Sequence, residues 1–260
     1  MRSEVTYPRV AGVAAMVVGV VVLVGWSTGT PALSSIIPGT LTMKANTAIA
    51  FVAIGLALVL RTAPDDRVRR LGLVLAAGGG ALAVAVGLQY VLGVDFGIDQ
   101  ALFREPAGTV GTVHPGRMSP QTAAALIAVA FALALVTRPG SAGVVVCLAL
   151  LPIALGALNL LDALLGAATP TLLARFTQMA LPTAALCLAL GVGVIAALPG
   201  GGPLAPLRGS APSAVLARRL VVAAIVIPFV LGWLRLEGER AGLYDTAFGV
   251  ALVVLATIGL

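Results

Sequence analysis

The sequence predicts an all-α membrane protein of about eight transmembrane helices, built from four parallel helical hairpins. Three observations predict it. Charge is scarce: of 260 residues only 10% are charged and 60% are hydrophobic, with a mean hydropathy of +1.09, where soluble domains carry about 25% charge. The apolar residues fall into runs suited to a hydrocarbon core about 30 Å thick. One short phrase also recurs along the chain, as "MKANTAIAFVAIGLAL" from Met43, "MSPQTAAALIAVAFALAL" from Met118 and "MALPTAALCLALGVGV" from Met179.

The first apolar segment, Val10–Trp26, follows Arg2 and Arg9 as the core of a signal peptide does. It is long for that role and forms the first arm of the repeat, so it is read as a membrane helix. Thr47–Leu60, Leu71–Leu92, Thr122–Val136, Ala142–Leu165, Thr183–Leu198, Val215–Leu234 and Thr246–Leu260 follow it. Several even-numbered segments are short as drawn. They need the polar turn before the threonine to approach the roughly 20 residues of a crossing helix.

Aligned on Thr47, Thr122 and Thr183, the phrase has a fourth copy in "LYDTAFGVALVV" at Thr246, and all four read Thr-Ala. The helix before each copy ends near a glycine: Gly25, Gly87, Gly156 and Gly232. The glycine-to-threonine gaps are 22, 35, 27 and 14 residues, so the connecting loop varies while the helices stay constant. The repeating unit is thus a hairpin, at about residues 8–61, 68–137, 141–198 and 213–260 of a single domain 1–260. Two spans per unit give every copy the same orientation, unlike the inverted repeats of many transporters. Ser119-Pro120 reads as an N-cap with proline at the first helical position, Asn46 and Asp245 are cap-type residues, and Pro182 fits a first turn. The Ala and Gly that follow favour close helix contact in a membrane.

Charge sets the expected orientation. With the N-terminus in the cytoplasm, ten of the sixteen Lys and Arg are cytoplasmic and six (Lys44, Arg104, Arg117, Arg175, Arg235 and Arg240) lie outside. Both termini are then cytoplasmic. A pI near 10.3 invites a nucleic-acid reading, but the bases sit at the ends of apolar spans, so no nucleic-acid partner is expected. Cys147 and Cys187 lie within spans and read as small packing residues. His114 alone makes a poor metal site. "GGGP" lacks the Gly-Lys-Ser/Thr ending of a phosphate loop. No nucleophile–base pair or nucleotide fingerprint is present, so an enzyme is not expected and no cofactor is assigned.

The candidate ligand site is at the outer end. Helix N-termini carry partial positive charge, and Lys44, Arg117, Arg175 and Arg240 precede the four copies. Ringed about an axis, they suit an anionic or polar small ligand; taken singly, each base also reads as an interfacial anchor. Candidate lining residues are Lys44, Asn46, Gln89, Tyr90, Arg117, Asn159, Asp162, Arg175, Trp233, Arg235, Tyr244 and Asp245. Asn159 and Asp162 share a helical face, and an acid near a span is a functional candidate by default. Trp233 and Tyr244, with Trp26, also fit an interfacial aromatic belt.

"GWLRLEGERAGLYDTAFGVAL", "MKANTAIAFVAIGLAL" and "PGRMSPQTA" together resemble the N-terminal membrane region of bacterial sensor histidine kinases, similar to regions that precede some diguanylate cyclases and phosphodiesterases. The resemblance covers essentially the whole chain. It implies an input domain embedded in a bacterial inner membrane, which detects a small ligand or a state of the membrane from the outer side and whose last helix carries the signal into a cytoplasmic kinase or cyclase, with dimerisation through the full-length protein. The last span, Asp245–Leu260, is about 24 Å long at 1.5 Å per residue and no base follows it, so a longer chain continuing into the cytoplasm is expected. The alternatives are a transporter or channel-like module, which calls for ionisable groups near the bilayer midplane, and a dimerising anchor, which has no use for long outer loops.

Overall fold

The computed structural model describes residues 6–35, 40–106, 108–165, 176–207 and 211–258. Among these the protein is helical throughout its regular structure. It divides into two compact units, Met1–Gly202 and Pro203–Leu260.

The first unit contains α1 (Thr6–Thr28), a single turn α2 (Pro31–Ser34), α3 (Ala45–Arg61), α4 (Asp66–Leu92), α5 (Pro120–Leu135), α6 (Ala142–Leu165) and α7 (Leu181–Ala196). Each of the six longer helices packs on the next, and α7 returns to α1, so the bundle closes. Inside the ring α3, α5 and α7 also touch one another. Each outer helix bridges two inner ones: α1 lies on α3 and α7, α4 on α3 and α5, α6 on α5 and α7.

Burial follows this division. Phe51, Ile54 and Leu58 of α3, Leu126, Val129 and Leu133 of α5, and Leu190 and Val194 of α7 are buried. The outer helices instead expose Val10, Val13, Val17 and Val24 along one stripe of α1, and Leu71, Val74, Leu88 and Val91 on α4. Large apolar side chains turned outward around a packed core are the arrangement a lipid solvent favours. Thr6–Thr28, Asp66–Leu92, Ala142–Leu164 and Pro212–Arg240 are long and apolar enough to cross a membrane.

The inner helices are 17, 16 and 16 residues long against 23, 27 and 24 for the outer ones. At 1.5 Å per residue the shortfall is roughly 10 Å. The short turns 62–65 and 136–141 keep helix ends level on one side. The missing length therefore falls at the other end, where the inner helices begin.

Their beginnings are alike. Thr47, Thr122 and Thr183 are each the third residue of their helix and are 3%, 2% and 2% exposed. Ser119 caps α5 as expected, its Oγ accepting from the Thr122 backbone N–H at 3.1 Å with Pro120 next to it. Pro182 lies in the first turn of α7. Asn46, expected to cap, is instead the second residue of α3, because the helix starts at Ala45 and Lys44 holds the cap position.

Small residues set the helix spacing. A Cβ added to Gly12 of α1 would lie 2.6 Å from the Gly55 carbonyl oxygen of α3, and one added to Gly55 would lie 2.6 Å from the Gly12 carbonyl. Gly191 of α7 stands in the same relation to the Ala149 carbonyl of α6 at 2.8 Å. Backbones this close maximise dispersion contact where apolar solvent removes the hydrophobic drive.

The second unit is the hairpin α8 (Pro212–Arg240) and α9 (Thr246–Ile258). Asp245 caps α9, accepting from the Phe248 N–H at 2.8 Å. Thr246 is the first residue of its helix and is exposed, so this copy departs from the other three.

Gly55→Val should lower the unfolding midpoint of the detergent-purified protein by an amount equivalent to about 1–3 kcal/mol, the usual cost of overpacking. Gly78→Ala, on an exposed face with nothing near its Cβ, should be neutral or stabilising by up to about 1 kcal/mol. Thermal unfolding of the two variants beside the parent checks both.

Candidate functional site

The gap above the inner helices is occupied by the 93–119 connection between α4 and α5. It is held by two carboxylates that point inward. Asp99 accepts from Arg117 Nε at 2.6 Å, from Gln89 Nε2 at 3.0 and 3.1 Å, and from Asn46 Nδ2 at 3.4 Å. The Gln89 carbonyl oxygen accepts from the Phe96 N–H at 2.7 Å, so one fully buried amide fixes both the carboxylate and the loop backbone.

Glu105 is the second anchor. It pairs with Lys44 through a short hydrogen-bonded contact and accepts from the Gly116 N–H at 2.6 Å. Lys44 Nζ also donates to Thr112 Oγ1 at 2.6 Å. Gly116 has φ of +73°, and a Cβ there would collide with the Asp99 carbonyl, so only glycine brings the backbone to both carboxylates at once.

Aromatic contacts complete the site. The Arg117 guanidinium carbon lies 5.4 Å from the Tyr90 ring centroid, within cation–π range. The Tyr90 hydroxyl donates to the Met118 carbonyl at 2.9 Å, and Phe176 meets its ring edge-on at 5.6 Å. The loop also reaches the segment before α7: Gln178 N–H donates to the Gly111 carbonyl at 3.0 Å, and His114 N–H to Thr177 Oγ1 at 3.4 Å. One connection thus touches the approaches to all three inner helices.

Lys44, Asp99, Glu105 and Arg117 are 4%, 8%, 6% and 6% exposed. Two bases and two acids balance, as buried charge requires. Burial pushes the Lys44 ammonium below the ordinary lysine value, and its Glu105 partner opposes that shift. Asp95, 71% exposed, approaches Arg117 at 3.6 Å from the rim.

The sequence-predicted residues therefore divide. Lys44, Asn46, Gln89, Tyr90 and Arg117 meet in this one network. Asn159 turns back to the Leu155 carbonyl of its own helix at 2.8 Å. Asp162 is half-buried and bonds to no described residue. Arg175 lies outside the described residues. The other four belong to the second unit. There Trp233 is exposed, and Arg235 pairs with Glu239 at 3.4 Å while its Nε is enclosed without an acceptor. The Tyr244 hydroxyl donates to the carbonyls of Leu234 at 3.2 Å and Arg235 at 3.1 Å; with the Asp245 cap it shapes the α8–α9 turn.

Asp99 and Glu105 are the residues of this candidate site that the sequence reading missed. They are separated from Asn46 and Lys44 by 53 and 61 positions. The available signal was charge balance: the longest outer connection carries acids, and the helix starts opposite it carry bases.

Chemically, the network is two buried, hydrogen-bonded ion pairs. Among the described residues no three His, Cys, Asp or Glu converge on a point that would hold a metal. No family model, curated protein or solved structure matches the chain.

Gly116→Ala should open the loop: the strained φ alone costs about 1–3 kcal/mol, and the displaced backbone withdraws a donor from Glu105. Gly108→Ala carries the strain without the collision, because nothing lies near its Cβ. Limited proteolysis of the purified protein should cut within 93–119 much faster in G116A than in G108A.

Proposed function

We propose that this chain is a membrane-embedded sensory input domain, detecting a small anionic solute at the outer end of the bundle and passing the event to a cytoplasmic effector. The observation that carries the reading is the pair of buried ion pairs, Lys44–Glu105, which ties the 93–119 loop to the start of α3, and Arg117–Asp99, which closes the loop on itself just before α5. Buried ion pairs add little net stability compared with apolar packing, and their best-attested use is in register and switching. A packed end that served only as an anchor would gain more from leucine.

The pairs also specify a mechanism. A carboxylate- or phosphate-bearing solute competes with Glu105 for Lys44, or with Asp99 for Arg117. Success in either contest frees part of the loop and changes the packing at the head of three inner helices. Such a solute shifts the equilibrium only by its differential affinity for the loop-closed and loop-open states. The three buried threonines and the closed ring support the hairpin-repeat architecture for the first three copies, with eight spans and both ends cytoplasmic as the topology. The sensor histidine kinases and cyclases that the sequence resembles supply the class of effector.

A transporter is the competing reading. It calls for ionisable groups at mid-membrane, whereas the buried interiors of α3, α5 and α7 are Ala, Leu, Val, Ile, Phe, Gly and Cys.

The experiment is hydrogen exchange on the protein in lipid vesicles, titrated with a panel of small carboxylates and phosphates, with solute flux recorded in parallel. The reading expects one class of anion to speed exchange across 93–119 at least tenfold without flux, and Lys44→Met to abolish that response. Flux of the same anion, or exchange that no anion alters, would contradict it.

A further inference from the structure

At the opposite end of the first unit a cavity of about 500 Å³ opens among the ends of α3, α5 and α7 and the start of α4. Arg61, Arg69 and Arg70 line it, and Asp66 is its one acid. Arg9 donates to Thr62 on its wall at 3.4 Å, and the charges of Arg69 and Arg138 bear on Arg61. Two of these arginines have structural work. Arg61 donates to the Leu133 carbonyl at 2.9 Å and Thr137 Oγ1 at 2.7 Å, and Arg69 to the carbonyls of Ala63 and Pro64 at 3.0 and 2.8 Å and to Asp66. Arg70 is exposed and bonds to no described residue. Asp66 is taken up by Arg69, so among the described residues Arg61 and Arg70 have no acidic partner and this end carries an excess of positive charge.

A second, apolar cavity of about 510 Å³ runs between α4 and α5. Its α4 wall is Leu73, Ala77, Ala81, Val84 and Leu88. With Arg70 these positions are spaced by three or four residues, so they form one continuous helical stripe. Thr137 of the basic cavity lies in the turn just past α5, and Ala134, Phe131 and Ile127 of α5 line the groove at spacings of three or four residues. The basic cavity and the apolar groove are therefore the two ends of one track along the same helix pair.

We propose that this track is a binding site for an anionic phospholipid, its phosphate headgroup held at Arg70 and Arg69 and one acyl chain lying in the α4–α5 groove. A phosphate takes paired N–H donors from guanidinium groups. Basic pockets between transmembrane helices are suited to anionic headgroups. A free phosphate would satisfy the arginines but would leave the apolar stripe without an occupant. The arginine end of the track shares no residue with the network around Asp99 and Glu105; the far end of the groove meets that network's edge at Phe96.

The test is native mass spectrometry of the whole chain, purified in detergent with equimolar phosphatidylglycerol and phosphatidylcholine of identical acyl chains. The parent should retain phosphatidylglycerol at least about fivefold over phosphatidylcholine. Arg70→Gln should cut that preference about fivefold, the effect of one cation at a membrane surface. Ala81→Phe, which fills the groove at an exposed position and removes no charge, should reduce retention of phosphatidylglycerol several-fold. Equal retention of the two lipids, or an R70Q protein that behaves as the parent, overturns the proposal. Displacement of phosphatidylglycerol by millimolar inorganic phosphate, with A81F binding as tightly as the parent, overturns it in favour of a soluble anion.

Discussion

Lys44 and Arg117 carry positive charge where almost no water reaches them, and Glu105 and Asp99 are what make those positions tolerable. An isolated buried charge is far costlier than any single apolar contact is worth. The route of the 93–119 connection follows from that requirement. The loop must bring one acid to Lys44 at the start of α3 and another to Arg117 near its own end, and it must also turn at Gly116 and dock on Gln89. Removing either base leaves a carboxylate stranded, so the network is held or lost largely as a unit.

The space for this network comes from helix length. Three inner helices too short to match their neighbours leave a recess at one end, and the loop fills it. The close crossings at Gly12–Gly55 and Ala149–Gly191 then fix where the inner helices begin. Packing in the apolar body and ion pairing at its head are thus one structural problem. Displacing α3 along α1 by a residue would move Lys44 about 1.5 Å from Glu105.

The all-helical character and the long apolar helices were legible in the sequence, because membrane helices declare themselves by composition. Ser119, Pro120, Pro182 and Asp245 behave as helix-start chemistry requires. The site was legible only in half. Bases before apolar runs stand out, so Lys44 and Arg117 were found with their neighbours Asn46, Gln89 and Tyr90. Their acidic partners lie in a loop whose path depends on glycines with positive φ and on contacts across more than fifty residues, and no local pattern encodes that. Asn46 misled for a related reason: its side chain suits a cap, but α3 starts one residue earlier, and from the second position the amide reaches a carboxylate of a distant loop. Arg235, Tyr244 and Asp245 share the repeat's vocabulary, yet they serve a separate hairpin, on which Trp233 is exposed.

The central claim is that the two ion pairs, rather than loop packing alone, hold the head of the bundle. A double-mutant cycle on Lys44→Met and Glu105→Gln, read as unfolding free energy of the reconstituted protein, tests it most directly. Each single change should cost about 3–5 kcal/mol, because each strands a buried polar or charged partner, and the double variant should recover most of that loss. Additive losses in the double variant would show that the two side chains stabilise the fold separately, and the account of a paired-charge latch would be wrong.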